Sequence, residues 1–537
     1  MKRVSLSLLA LAATLPAMEN PIVGPRALGM GGAQVACAED YTAQYYNPAA
    51  FGFFWSGSEE RRADGLGRNL EGVGPDNNDL ARKDWGFGVD LGVGARINGD
   101  LATYANDLLD FKTDGIDTLQ MDASGTNIPR ARATIDNLLK LASSLGSLNI
   151  DRDAATVQAN MGGGLRVLAF GVGARVYTEA VAKIAELDLD NLGSGTVIAD
   201  VAGTIAEATL GSTTPTGAPL TFFTQAQFDA VVAALGGGAA AIAAAEGLDQ
   251  QATAANLDPA AAQAVSDTLL GTADGAGLIA ALGGSGDVDN NQTSLLIQGA
   301  VIAEVPFTYG HAFNDYFAVG GSVKYMMGQV SGVKIRAIDT SSDKDLEDYL
   351  TDFTDDAKES SNVGIDVGFM ARYDYIQAGI TARNINGPTF KGPKITYQTK
   401  NDSGATVTET IQIDDVQVKP DVRAGVAVIP FYTWYAGLTL AADIELMKSE
   451  TALPGYYHQM AGAGAELKVL STLDLRGGVS KNLAEDDVPM LIHGGLGLNL
   501  WLLRLDAAGA MANETVEVDG DEVPKEVRAS FAVATDW

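Results

Sequence analysis

WGFGVDLGVGARI, residues Trp85 to Ile97, is the stretch whose reading decides the fold. Its odd positions are Trp85, Phe87, Val89, Leu91, Val93, Ala95 and Ile97; its even ones are Gly86, Gly88, Asp90, Gly92, Gly94 and Arg96. A period of two puts the apolar set on one face of a strand and the small or charged set on the other. In a sandwich the polar face meets water and the apolar face a core. In a membrane barrel the apolar face meets lipid and the Gly-rich, polar face lines the lumen. One strand is compatible with both.

The rest of the chain separates them. Further strands are predicted near 157–168, 170–184, 295–307, 316–338, 363–373, 375–383, 416–428, 434–446, 457–469, 473–482, 491–500, 503–513 and 527–537. With the first they make about fourteen, an even number as bacterial barrels require. Their connections alternate in length. Short ones fall at Ala169, 311–315, Asp374, 429–433, 470–472 and 501–502. The others, 98–156, 185–294, 339–362, 384–415, 447–455, 483–490 and 514–526, are mostly longer. Short periplasmic turns and long outer loops are the outer-membrane arrangement, and a sandwich gives no reason for the alternation. The expected fold is an all-β antiparallel outer-membrane barrel over 85–537, with α-helical outer insertions at 98–156 and 185–294.

Two of the long connections carry helical signals. Ile135, Leu138, Leu139 and Ala142 form an i, i+3, i+4, i+7 stripe. The Ala-rich segment 196–282 contains a mostly Ala/Gly run, 230–245, that reads as a surface helix, and Pro259 opens a second helix after Asp258. Together they predict a helical outer cap; a low-complexity insertion is the alternative.

The ends read as export signals. Lys2 and Arg3, an apolar run from Val4 to Leu15, and Ala17 predict a signal peptide over 1–17, although Leu15 is an imperfect residue three before the cut. A short buried helix is the competing reading. Phe531, Val533, Thr535 and Trp537 share one face of the last strand, which ends on an aromatic residue. Phe531 and Trp537 thus look like the signal read by the barrel assembly machinery, against the plainer reading of an edge strand.

A net charge of −32, with no clustering of the 36 Lys and Arg, disfavours nucleic-acid binding. The single cysteine, Cys37, excludes an intrachain disulfide and a thiolate metal cluster. It is no lipoprotein anchor, being far from the apolar run and preceded by Gln34 where an aliphatic residue belongs. His311, His458 and His493 are isolated, and no nucleophile elbow, zinc motif or phosphate loop occurs. The acidic runs at 287–291 and 519–522 do not complete a calcium loop. Neither enzyme activity, nor a metal, nor a cofactor is expected.

The segment Gly24–Phe51, GPRALGMGGAQVACAEDYTAQYYNPAAF, is the most informative outside the strands. Gly29, Gly31 and Gly32 permit close turns and backbone approach, Arg26 offers a fork of donors, and Asn47 before Pro48 initiates a turn. The run from Arg26 to Ala33, then Glu39–Asp40, then Tyr46 to Ala49, resembles the N-terminal signature of FadL-like long-chain fatty-acid transporters. Stretches 419–425, 438–443, 464–466, 473–478, 495–497 and 504–506 resemble one branch of that superfamily, the conjugal-transfer TraF-like proteins. The resemblance does not reach the insertion 196–282.

What the resemblance implies is a fourteen-stranded barrel with an N-terminal hatch over 18–84, its plug residues being Arg26, Gly29, Gly31, Gly32, Asn47 and Pro48. Strand parity adds the lumen-facing charges Asp90, Arg96, Lys324, Asp366, Arg372, Asp443, Glu445, Glu466, Asp474, Arg476, Arg504 and Asp506. Interspersed signs suggest ion-pair ladders that grip the hatch; a selectivity-setting pore lining is the alternative. Arg26, Glu39, Asp40 and Asn47 are expected to pair with charges such as Asp366, Arg372, Asp474 and Arg476.

The functional expectation is a passive channel for uptake of small hydrophobic compounds in the outer membrane of a Gram-negative cell, surrounded by lipid and lipopolysaccharide. The rivals are a non-transport scaffold, either surface-interacting or part of an envelope complex, and a soluble periplasmic β-protein.

Overall fold

The computed structural model describes residues 18–54, 85–99, 152–186, 201–270, 291–336 and 356–536, apart from short gaps within the last two ranges, and isolated residues near 135–140, 188 and 353. Fourteen antiparallel strands close on themselves. They are β1 (Trp85–Asn98), β2 (Ala154–Val167), β3 (Phe170–Glu186), β4 (Ser294–Ala312), β5 (Phe317–Arg336), β6 (Lys358–Tyr373) and β7 (Ile376–Arg383), then β8 (Asp421–Tyr432), β9 (Ala436–Glu445), β10 (Met460–Val469), β11 (Leu473–Asn482), β12 (Leu491–Asn499), β13 (Arg504–Ala512) and β14 (Glu526–Asp536). The seam between β1 and β14 pairs Val89 with Val533 and Leu91 with Phe531, so no edge is left open.

The alternation of Trp85–Ile97 decides which face is which. Phe87, Val89, Leu91 and Val93 point out and are exposed, while Asp90 and Arg96 point in and are buried. The same pattern continues around the wall, with Val323, Val367, Val426, Leu475, Leu496 and Phe531 among the exposed apolar side chains. An apolar exterior around a polar interior is how a barrel sits in a bilayer, the inverse of a water-soluble sandwich. No helix among the described residues is long and apolar enough to cross a membrane.

Several boundaries differ from expectation. β2 starts at Ala154, before the expected 157, and β4 runs on to Ala312, so the turn after it is shorter. The outer connections also hold small hairpins that the sequence reading took as plain loops: Lys394–Lys400 pairs with Thr406–Gln412, and Thr515–Val518 with Asp521–Pro524. One face of the first ribbon carries Ile395, Tyr397, Val407 and Ile411, with Ile395 buried, but its strands are only 7 residues each and otherwise polar, so the alternation is short.

The insertion between β3 and β4 has a core of its own. Helices α4 (Val201–Leu210), α5 (Gln225–Ala234), α6 (Gly238–Ala254) and α7 (Ala262–Leu270) are numbered after three short helices of the N-terminal segment described below. They bury Ile205, Phe222, Phe228, Val231, Leu248 and Val265 together with Ile135 and Leu139 from the connection between β1 and β2. The single helix expected over 230–245 is instead the end of α5 and the start of α6, split where Gly236 and Gly237 take φ of 86° and 71°. Asp258 caps the turn opened by Pro259, its side chain accepting from the Ala260 N–H. Most of the stripe around residues 131–148, the acidic run at 287–290, residues 55–84 of the expected hatch and the expected signal peptide at 1–17 lie outside the described residues.

Candidate functional site

The N-terminal segment lies inside the barrel. Glu19 bonds Arg96 near the long-loop end of β1, whereas Phe54 lies under Arg166 and Phe53 under Arg372, close to the short turns. The chain therefore runs along the lumen from the half that carries the long connections to the end that carries the short turns. Its helices are α1 (Pro25–Gly29), α2 (Ala43–Tyr46) and α3 (Ala50–Phe54), all buried.

α1 begins with Pro25 at its first position, where a missing N–H costs nothing. It ends in a turn where Gly31 has φ 67°. A Cβ at Gly31 would lie 2.4 Å from the Val479 carbonyl oxygen of β11, so only glycine lets the backbone rest on the wall.

That turn aims Arg26 at the wall. Its Nε and Nη2 donate to the two oxygens of Glu466 at 2.9 and 3.0 Å, and its Nη1 donates to the Cys37 carbonyl at 2.8 Å. Glu466 also accepts from Arg476 Nε at 2.7 Å. Arg476 reaches Asp506 at 2.6 Å and Asp474 at 3.0 Å, and Arg504 meets Asp506 at 2.8 Å and Asp474 at 3.3 Å. Three guanidinium groups and three carboxylates thus form one buried, charge-balanced network. Beside it, Asp443 accepts from the Gln34 and Val35 N–H groups at 2.7 and 2.8 Å.

The lower half is held differently. Asn47 is fully buried. Its Nδ2 donates to the Val35 and Phe369 carbonyls at 3.0 and 3.2 Å, and its Oδ1 accepts from the Ala49 N–H at 3.1 Å. Pro48 presses its carbonyl against Gly320, and Phe51 lies over Gly171, where a Cβ would come within 2.7 Å of its ring. Tyr41 donates to Asp90 at 3.1 Å, and Arg383 stacks on Tyr45 with its Cζ 3.5 Å from the ring centroid.

All of the expected lumen-facing charges are buried. Asp90 is gripped by Arg175 at 2.6 and 2.9 Å, and Lys324 bridges Asp366 and Glu304 at 3.0 and 3.4 Å. The pairings expected for the N-terminal segment are corrected. Arg26 takes Glu466 and not Asp366 or Asp474, and Glu39 meets Lys468 at 3.6 Å. Asp40 turns back onto Thr42, and Asn47 bonds backbone carbonyls, with no charged side chain among its hydrogen-bond partners. The reading missed Arg175, Glu179, Glu304, Arg383 and Arg423, whose inward parity was available, and Glu19, which no periodicity marks. Phe531 faces outward on β14, and Trp537 lies outside the described residues.

Among the described residues, two cavities touch the N-terminal segment. One, of about 20 Å³, is lined by Asn20, Ile22, Arg423, Asp443 and His458 and has room for roughly one water. The other is smaller and sits between Tyr41, Gln44, Tyr45 and the β3–β4 wall at Ala174 and Pro306. Outside that same wall an apolar groove of about 470 Å³ is lined by Leu165, Val167, Phe170, Val172, Phe307 and Tyr309.

Comparison with known proteins gives one family match, to the model described as F plasmid transfer operon, TraF, protein, over residues 76–444. That span runs from before β1 to the end of β9 and leaves out the segment 24–51. No curated protein matches the sequence. Among solved structures, the Pseudomonas putida toluene transporter TodX is similar at 11% identity, covering 96% of this chain and 98% of its own, with TM-score 0.43. The Ralstonia pickettii toluene transporter TbuX is similar at 12%, covering 98% and 99%, with TM-score 0.41. A Pseudomonas aeruginosa FadL homologue is similar at 9%, covering 97% and 99%, with TM-score 0.39. The barrel itself rests on its strand pairings.

Proposed function

The chain belongs to the TraF family defined by that match, and from this premise and the geometry of its wall we propose that it is a Gram-negative outer-membrane channel for passive uptake of small hydrophobic compounds, plugged by its N-terminal segment. The observation that carries the reading is the seam between β3 and β4. The ladder pairs Val172 with Phe307 and Arg175 with Glu304, but Gly173 and Ala174 make no ladder pair with Val305 and Pro306 opposite. Pro306 has no N–H to give. The wall there is thin: Gly171 and Gly173 put backbone alone between the plug residues Phe51 and Gln44 and the outer groove. A solute freed beside the plug would meet lipid through this seam. In the described conformation the seam is shut, so passage requires the plug to move.

The test is a clamp. In a Cys37→Ser background, Ala174→Cys with Val305→Cys places two thiols directly across the unpaired stretch. Oxidation should lower toluene uptake by cells several-fold, and reductant should restore it. Uptake by the reduced protein no higher than that of cells lacking the protein would sink the channel reading.

A second reading has its own support. The lumen is filled by paired charges, and the cavities against the plug are too small for an organic solute. That suits a non-transport scaffold in an envelope complex, which would leave toluene uptake unaffected by deletion of the protein.

A further inference from the structure

At the head of the N-terminal segment the carboxylates outnumber their cations. Glu179 of β3 is buried. It accepts from Gln158 Nε2 at 2.8 Å and from the backbone N–H of Glu19 at 3.2 Å, both neutral donors. No described cation lies within ion-pair distance of it. Glu19 is held by Arg96 at 2.5 Å and faces His458 at 3.9 Å. His458 meets Glu445 at 3.2 Å, and Arg423 reaches Glu445 at 2.5 Å and Asp421 at 3.5 Å. Four buried carboxylates therefore share two arginines and one histidine. The network around Arg26 and Arg476, by contrast, balances. An uncompensated charge in such a place is costly.

The sequence supplies a cation at this point. Lys2 and Arg3, the apolar run to Leu15 and Ala17 have the order of an export signal cut after Ala17. The cut would leave Met18, itself buried, as the first residue. Its nitrogen is one residue, about 3.8 Å of chain, from the Glu19 N–H that already touches Glu179. Resting on the reading of the chain as an exported barrel, we infer that processing after Ala17 creates a structural ion: the α-ammonium of Met18 is the counter-ion of Glu179 and fastens the start of the plug inside the lumen. An uncut chain offers only a neutral amide N–H there. Export processing and plug seating are thereby one event.

The test uses the full-length protein purified from outer membranes. Intact mass and N-terminal sequencing should give Met18 as the first residue. Acylation near neutral pH selects α-amines, which titrate near 8 and well below lysine. In the folded, heat-modifiable protein the Met18 amine should acylate at least ten-fold more slowly than in the boiled protein. Glu179→Gln should speed it several-fold. Should that variant not fold, inserting Ala-Ser between Ala17 and Met18 moves the amine while keeping Glu179, and should free it equally. A first residue other than Met18, or equal rates in the wild type and whichever variant folds, overturns the inference. Toluene uptake is measured separately, so loss of the channel reading leaves this result standing. Unprocessed, soluble protein would instead overturn the export reading on which it rests.

Discussion

Between Arg26 and Val35 the plug meets β9 to β13 through charge: a bidentate guanidinium on Glu466, and backbone N–H groups on Asp443. Between Asn47 and Phe54 it meets the opposite wall, from β2 to β7, through a neutral amide, packed backbone and aromatic rings, two of them under Arg166 and Arg372. The two attachments obey different physics. A buried ion pair is directional and fails as a unit, because losing one member strands the other. Apolar packing is a sum of small contacts that can be given up piecemeal. The half fastened mainly by shape is also the half lying on the glycine-walled seam. The arrangement predicts a plug anchored on one side and yielding on the other.

The comparison breaks most sharply at Arg26. Arg26→Met removes the fork and leaves Glu466 with Arg476 alone. The expected loss is about 3 kcal/mol, toward the low end for breaking a buried pair because one cation remains. Urea unfolding in lipid vesicles measures it. Replacing both partners, with Glu466→Gln added, should recover part of the loss, since no buried carboxylate is then left without its fork. A single variant as stable as wild type would mean that the ionic anchor is not the stronger one.

Asn47→Ala tests the other side. It removes two donated bonds and the acceptor for the Ala49 N–H, leaving the Val35 and Phe369 carbonyls without that partner. About 1–2 kcal/mol is expected from such losses, with a rise in small-solute leakage in liposome swelling. Leakage larger than that of Arg26→Met would invert the order of the two anchors.

The two halves also differed in how far they could be read. The wall was legible because lipid outside and ions inside impose opposite chemistries on alternate residues, as at Asp90 between Val89 and Leu91. Parity alone put Glu466, Arg476 and Asp506 in the lumen. The partners were not legible. Arg26 and Glu466 are 440 residues apart, and only closure of the barrel brings them together. Glu179 had the right parity and still escaped notice, because its significance depends on Glu19, which sits in no periodic element. Gly31 and Gly320 read as turn or strand glycines. Which stretch of backbone each receives is a tertiary fact without a local signature.

Cys37 offers the finest division between the two anchors. It is almost fully buried, and its carbonyl is held by Arg26 at 2.8 Å. Burial pushes its thiol above the ordinary value despite the nearby guanidinium, so little reactive thiolate is present near neutral pH. In folded wild-type protein a bulky, membrane-impermeant maleimide should label it only through local opening of the plug. Arg26→Met removes the group that holds this turn. If the loss of about 3 kcal/mol falls on that opening, labelling should accelerate by up to ~100-fold. Asn47→Ala loosens the far end and should change the rate by less than about three-fold, provided that the anchors open independently. Equal acceleration in both variants would show that the plug moves as one rigid piece, and the contrast between its two sides would then describe how it is bonded but not how it opens. Rapid labelling of the wild type would go further and remove the segment from the lumen altogether.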